Sequence, residues 1–137
     1  MKEFEYYGLF ITDESKNTLI KWLNDNGYYA LNGKLYLDHC TLLHKSKDDI
    51  NIRNFCECCE GATFIMKVIG IGRSDKAMAF KVELPGVPCS NRIPHITIFT
   101  FGLGKPYDSN NIRDWVKIPG IDISGVLKSV SFISHPG

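Results

Sequence analysis

The sequence of 137 residues lacks a long apolar run, a signal peptide and an excess of one charge sign. No stretch approaches the run of about 18 apolar residues that a membrane-spanning helix needs, and the opening MKEFEYYGLF has no apolar signal core. We therefore expect a cytoplasmic protein that does not enter a membrane. The net charge of +1 excludes a nucleic-acid binder that acts mainly by neutralising many phosphates, but it is compatible with a protein that binds one or two phosphates.

Linkers and a phosphate-binding loop of the P-loop type are also missing. No segment rich in proline, serine or charge divides the chain, so we predict one domain over residues 1–137 with no obligate protein partner. The glycines of GIGRSDK are not followed by the Gly-Lys-Ser/Thr sequence and the helix of a P-loop. The sequence therefore gives no sign of that class of nucleotide site.

Five cysteines, an odd and clustered number, predict reduced thiols rather than a disulfide framework in a chain without a secretion signal. Cys56, Cys58 and Cys59 together with His39, Cys40 or His44 could supply four zinc ligands. The spacing disfavours zinc, because Cys56 and Cys58 diverge by about 200° on a predicted helix. Packing of Cys56 and Cys59 in the core accounts for them as small apolar side chains. The sequence therefore predicts no metal and no other cofactor.

Short strands and short helices alternate along the chain in a mixed order. Strands are predicted at 4–11, 34–45, 62–72, 77–84, around His95 and at 125–134. Helices are predicted with caps at Asp13, at Ser46 or Asp48, and at Ser109, the last running through NNIRDWVK. The short link RSDK between two strands suits a hairpin. The pattern is typical of an α+β fold with antiparallel strands rather than a long βαβ array.

Two segments, LDHCTLLHK and IPHITIFTF, share a frame of an apolar residue, a turn-prone residue, His, one residue, Thr and further apolar residues. Both are predicted strands, and residues two apart on a strand project to the same face. We therefore expect His39 and Thr41 on one face of their strand, and His95 and Thr97 on one face of theirs. If both strands border a common cleft, it receives two imidazoles and two hydroxyls.

This set of side chains suits phosphodiester chemistry. A neutral imidazole can take a proton from the attacking water while a protonated one gives a proton to the leaving oxygen. Threonine hydroxyls can donate hydrogen bonds to the non-bridging phosphate oxygens. The scheme needs no metal ion.

Short motifs of this kind discriminate weakly, and His44-Lys45-Ser46 is a third match to the pattern. His44 lies an odd number of residues from His39, so we expect it on the opposite face, near the exposed end of the strand. A nucleophile pair of Cys40 and His39 is disfavoured for the same reason, because adjacent residues on a strand point to opposite faces.

HCT at 39–41 and HIT at 95–97 resemble the paired His-x-Thr/Ser motifs of the two-histidine (2H) phosphoesterases. DHCTLLHK, SDKAMAFKVEL and PHITIFT are most similar to the cyclic phosphodiesterase domain of plant and fungal tRNA ligases, over roughly residues 4–101. The resemblance implies an α+β fold of two pseudo-symmetric lobes, with antiparallel sheets, outer helices and a central cleft. It also implies catalytic roles for His39 and His95 and phosphate binding by Thr41 and Thr97.

The function implied by this resemblance is hydrolysis of a 2′,3′-cyclic phosphate, with a nucleotide or an RNA terminus as substrate. Two alternatives remain open: a hydrolase of cyclic oligonucleotide signals, of the kind that phages use against host defence, and a non-catalytic module that binds nucleotides or RNA ends. Lys45, Arg73 and Tyr107 lie near the motif strands or their loops and are candidate contacts to a phosphate or a base.

Overall fold

A computed structural model of the chain describes residues 4–28 and 33–131. The predicted α+β class is confirmed, because helices are few and the strands pair antiparallel throughout the described residues. In chain order the elements are β1 (Tyr6–Ile11), α1 (Asp13–Asp25), β2 (Lys34–Leu35), β3 (His39–His44), α2 (Ile50–Cys59), β4 (Thr63–Arg73), β5 (Ala77–Glu83), β6 (His95–Thr100), a short 3-10 helix (Pro106–Asn111) and β7 (Trp115–Val130).

The strands form one sheet in the order β2-β6-β3-β1-β7-β4-β5. β5 also pairs with β6, from Ala77 opposite Thr100 to Lys81 opposite His95, and this pairing closes the sheet into an antiparallel β-barrel. The resemblance implied separate sheets in two lobes, whereas the described strands belong to a single closed sheet. The two motif strands, β3 and β6, are neighbours in this order, and the closure adds β5 on the other side of β6.

Each α-helix begins at a side chain that accepts a hydrogen bond from the first turn. For α1 this residue is Thr12, not Asp13 as predicted, since the Thr12 hydroxyl accepts from the backbone N–H of Ser15 at 3.3 Å. For α2 it is Asp49, whereas Ser46 or Asp48 was predicted. The Asp49 side chain accepts from the backbone N–H of Ile52 at 3.0 Å. Within the described part of the chain, neither helix is long and apolar enough to cross a bilayer.

The prediction of a helix after Ser109 is wrong. Ser109 lies inside the 3-10 helix, which ends at Asn111, and Trp115 already begins β7, a strand of 16 residues. β7 pairs with β4 from Trp115 opposite Gly72 to Val126 opposite Thr63, and its last part pairs with β1. These long-range backbone hydrogen bonds outweigh the local helical pattern. The predicted strand at 125–134 is the end of β7, and residues 132–134 lie outside the described part.

One hydrophobic core connects both helices with the sheet. Leu19 and Leu23 of α1 and Cys56 of α2 belong to it, as do Cys40 of β3 and Ile96 of β6. The last two are fully buried at the middle of the two motifs. Because side chains alternate along a strand, the motif residues on either side of them project away from this core.

Candidate active site

The two predicted motifs lie on hydrogen-bonded neighbouring strands. β3 and β6 are antiparallel, and Cys40 is paired with Ile96. Continued by one residue in each direction, this register sets His39 opposite Thr97 and Thr41 opposite His95. The two motifs are therefore related by a local two-fold axis that passes between the strands.

A cleft of 640 Å³ lies over these side chains. His39, Thr41, His95 and Thr97 all line it, so the structure brings together the four residues that the motif comparison selected. The volume is within the range of about 300–1,000 Å³ that is usual for small-molecule sites. Further side chains on the wall come from β1, from the segments before β3 and β6, and from the 3-10 helix: Tyr6, Tyr36, Asp38, Asn91, Tyr107 and Asn110.

The tautomer of His95 follows from its one backbone contact. Nδ1 of His95 lies 2.8 Å from the carbonyl oxygen of Ile93. A carbonyl oxygen only accepts, so Nδ1 carries the hydrogen and donates it. The neutral ring then keeps its lone pair on Nε2. Nε2 is thereby the nitrogen that can take a proton, as a general base requires.

Stacking, rather than hydrogen bonding, orients the ring of His39. Its centroid lies 4.9 Å from the ring of Tyr6 and 4.9 Å from that of Phe10, with interplanar angles of 22° and 29°. Its Nδ1 is buried without a hydrogen-bond partner among residues 4–28 and 33–131. The two His-x-Thr motifs give no indication of these aromatic contacts. The spacing Tyr-x-Gly-x-Phe in β1, two aromatic residues flanking a glycine on one face, is the sequence signal that points to them.

Gly8, between the two aromatic residues, leaves the space in which the His39 ring lies. A Cβ at Gly8 would be 3.3 Å from Cδ2 of His39 and 3.1 Å from the carbonyl oxygen of Cys40. The contact with Cδ2 is shorter than the optimum of about 3.5–4.0 Å between carbon atoms. A side chain at position 8 would therefore shift the imidazole against the two aromatic rings.

We expect Gly8→Ala to shift the ring proton resonances of His39 and to raise its pKa towards 6.5, because the displaced ring gains solvent and loses the neighbouring ring currents. An NMR titration of the histidine side chains measures both effects. Gly120→Ala is the matched control in β7, since its Cβ would approach only the flexible side chain of Lys67, at 3.2 Å. Unchanged His39 resonances in Gly8→Ala would contradict this role of the glycine.

Burial disfavours the charged form of both cleft histidines. Burial lowers the pKa of His39 below its ordinary value of 6.5, the Asp38 carboxylate opposes this shift, and His95 adds to it. Burial likewise lowers the pKa of His95, against the opposing effect of the hydrogen bond to Ile93. Both rings line the same cleft, and a positive charge on His95 disfavours one on His39. At neutral pH both imidazoles are therefore mainly neutral in the unliganded protein.

A residue outside the motif strands positions the hydroxyl of Thr97. Oγ1 of Thr97 lies 2.9 Å from Oγ of the buried Ser109 and donates to the carbonyl oxygen of Pro106 at 3.3 Å. While Ser109 donates to Thr97, the Thr97 hydroxyl can turn from the Pro106 carbonyl to an acceptor in the cleft. Sequence reasoning identifies Ser109 only as a helix cap, because no local pattern links it to a strand residue 12 positions earlier.

One of the three candidate substrate contacts lines the cleft. Tyr107 does so from the 3-10 helix, with 67% of its surface exposed. Lys45 instead donates to Oε1 of Glu5 at 2.6 Å, and the Arg73 guanidinium lies 4.8 Å from the ring centroid of Phe101. Neither basic side chain is among the residues that line the cleft.

His44 lies on the same side of β3 as the cleft, so the prediction that it occupies the face opposite to His39 is wrong. β1 and β3 shift register between Tyr7, which is opposite Leu43, and Gly8, which is opposite Thr41. Leu42 is thus an extra residue in β3, a β-bulge, which reverses the alternation beyond it. His44 is exposed at the end of the strand, as predicted, but it lines the same cleft as His39.

The cysteines are free thiols. A hydrogen bond to Cys89 and burial raise the pKa of Cys40 well above its ordinary value, so Cys40 stays a thiol in the core and is not a nucleophile for His39. Cys56 lies in the core and Cys59 packs against it, as predicted. In the described part of the chain, no three side chains of His, Cys, Asp or Glu are grouped as metal ligands would be.

Comparison with solved structures shows a shared fold. A chain described as "Crystal Structure of Fungal RNA Kinase" matches 95% of this chain with a TM-score of 0.65 and 15% sequence identity. This chain spans 46% of the length of that chain. No protein-family model and no curated protein matches the sequence. The likeness therefore covers nearly the whole chain at the level of the fold.

Proposed function

We propose that this chain is a metal-independent phosphodiesterase of the two-histidine type, which hydrolyses the 2′,3′-cyclic phosphate of an RNA end or a nucleotide. The observation that carries the proposal is the register of β3 and β6, which brings two imidazoles and two hydroxyls to one cleft in a two-fold arrangement. A core histidine with a purely structural role has no need of a second His-x-Thr motif directly opposite. The proposal includes the pseudo-symmetry of the two halves around this pair and a single domain over residues 1–137.

The reaction needs one neutral imidazole and one protonated imidazole. The neutral ring takes a proton from water at Nε2 as the water oxygen forms a bond to phosphorus. The bond between phosphorus and one ribose oxygen breaks, and the protonated second ring donates a proton to that oxygen. The product is a phosphate monoester beside a free ribose hydroxyl. Because His39 and His95 are related by the local two-fold axis, substrate direction decides which ring is acid and which is base.

The two threonines complete the site. Hydroxyl donors at Thr41 and Thr97 meet the non-bridging phosphate oxygens, whose negative charge grows as water attacks. Thr97 is held by Ser109, while the hydroxyl of Thr41 has no hydrogen-bond partner among the residues that the structure describes and is ready to donate. The name of the solved RNA kinase, whose fold this chain shares, supports RNA as the substrate.

A substrate panel in excess EDTA tests the proposal. It contains 2′,3′-cyclic mononucleotides, oligoribonucleotides with a 2′,3′-cyclic end, cyclic di- and trinucleotides, and a linear dinucleotide as control. We expect monoester product from the 2′,3′-cyclic phosphates at a rate that EDTA does not reduce. Turnover that depends on a divalent ion, or that is confined to cyclic oligonucleotides, would contradict the proposal. Binding without product would favour a non-catalytic module.

The pH dependence tests the acid-base roles separately. The active form holds one proton on the pair, and the pKa values of both His39 and His95 are lowered from 6.5. We therefore expect kcat/KM to follow a bell whose maximum lies below pH 6.5, falling at higher pH as the acid loses its proton and at lower pH as the base gains one. Steady-state assays from pH 4.5 to 9 at about constant ionic strength measure the profile. A monotonic profile would contradict the scheme.

A further inference from the structure

A second cavity adjoins the candidate active site. Its volume is 320 Å³, and it shares Tyr6, Asp38 and His39 with the larger cleft. Because the His39 ring belongs to both walls, a ligand that extends past this imidazole passes from one cavity into the other. The reaction proposed above uses only the larger cleft.

Two lysines and an aromatic ring determine the chemistry of this second cavity. Lys16 reaches it from α1, Lys128 from β7, and Phe10 from β1. Nζ of Lys128 lies 5.9 Å from the ring centroid of Phe10, and no ion pair of Lys128 is found among the described residues. Nζ of Lys16 is 3.9 Å from the Asp38 carboxylate, at the outer limit of an ion pair. Both ammonium groups are therefore able to bind an anionic group that enters the cavity.

The sheet register places Lys128 in line with the candidate active site. Lys128 is paired with Gly8, and Gly8 is paired with Thr41. Since neighbouring strands lie about 4.8 Å apart, the Cα atoms of Lys128 and Thr41 are separated by roughly 10 Å. Gly8 puts no side chain into this gap, and the His39 ring lies over it. A nucleotide chain that passes this ring can therefore meet the lysine with a second phosphate while the threonine holds the first.

We infer that the second cavity is a subsite for the nucleotide that precedes the reactive one in an RNA chain, an inference that rests on the function proposed above. A 2′,3′-cyclic phosphate ends the chain, so any attached nucleotide lies on its 5′ side. The parts of Phe10 and Tyr6 that line the cavity give this nucleotide apolar contacts, and the two lysines attract the linking phosphodiester. Asp13 and Asp38 offset the lysine charges, which disfavours a free anion relative to one attached to a nucleoside. RNA termini are therefore the preferred substrates, ahead of cyclic mononucleotides.

The test compares a dinucleotide that ends in a 2′,3′-cyclic phosphate with the corresponding cyclic mononucleotide. We expect kcat/KM to be at least about tenfold higher for the dinucleotide, the effect of one charge-assisted contact to phosphate. Lys16→Gln combined with Lys128→Gln should remove most of this ratio. Lys21→Gln is the matched control, since Lys21 is on the same helix, pairs with Asp25, and is 78% exposed in its side chain. It should keep the ratio.

A binding arm separates this inference from the proposed hydrolysis. The affinities of the linear dinucleotide 3′-phosphate and of the mononucleotide 3′-phosphate are measured by calorimetry, which needs no turnover. A preference for the dinucleotide that the double lysine variant loses would support the subsite, even if neither cyclic substrate were hydrolysed. Equal affinity of the wild-type protein for both ligands, or a preference that survives in the double variant, would overturn it.

Discussion

His39→Ala and His95→Ala should each reduce kcat for a 2′,3′-cyclic phosphate by about 10²- to 10⁴-fold, the usual loss when a general acid or base is removed. Each ring transfers one proton in the same step. A water molecule in place of either ring would not be held in the geometry that the proton transfer requires. Because the two act as a unit, the double variant should be little slower than the slower single variant. Steady-state rates in EDTA, at the pH optimum of the wild-type protein, measure the three losses.

The controls must separate lost chemistry from lost folding. His39 stacks on both Tyr6 and Phe10, so its alanine variant also loses packing. His39→Gln retains most of the side-chain volume without the imidazole, and circular dichroism with thermal unfolding reports whether each variant folds. A folded His39→Gln or His95→Ala protein with the wild-type kcat would show that the imidazole has no part in the reaction.

Thr41→Val and Thr97→Val should each lower kcat by about 10²- to 10³-fold, the cost of one hydrogen-bond donor to the charge that develops in a transition state. Valine keeps the branched shape and removes the hydroxyl. Because this donor acts mainly in the transition state, kcat should fall more than KM rises. Initial rates over a range of substrate concentrations separate the two constants.

Thr41→Ser and Thr97→Ser are the matched controls, because serine restores the hydroxyl without the methyl group. They should recover most of the activity. Ser109→Ala should lower kcat less than Thr97→Val, since Ser109 contacts the Thr97 hydroxyl and does not line the cleft. Wild-type kcat in both valine variants would contradict phosphate binding by the threonines.

Local sequence patterns correctly predict the features that depend only on neighbouring residues. Alternation along a strand correctly predicts that Cys40 faces the core while His39 and Thr41 share the other face. The polar link of residues 73–76 correctly predicts the hairpin between β4 and β5. The helix caps are misplaced by a residue or more, because several neighbouring side chains can accept the same first-turn hydrogen bonds.

Predictions failed where distant strands decide the local structure. The segment after Ser109 has a helical pattern, but β4 offers backbone partners from Trp115 onward, so the chain extends there as β7. Alternation along β3 predicts the wrong face for His44, because the bulge at Leu42 depends on how β3 pairs with β1. Neither partner strand is readable from the segment itself.

The sequence alone determined the fold class and selected the four residues His39, Thr41, His95 and Thr97, because repetition of a motif and alternation along a strand are properties of short segments. Tertiary structure decided that the two motifs lie side by side in one closed sheet. It also supplied the residues around them: the stacked rings and Gly8 from β1, Ser109 from the 3-10 helix, and the second cavity. These come from distant parts of the chain, and strand pairing, which depends on the whole barrel, brings them together.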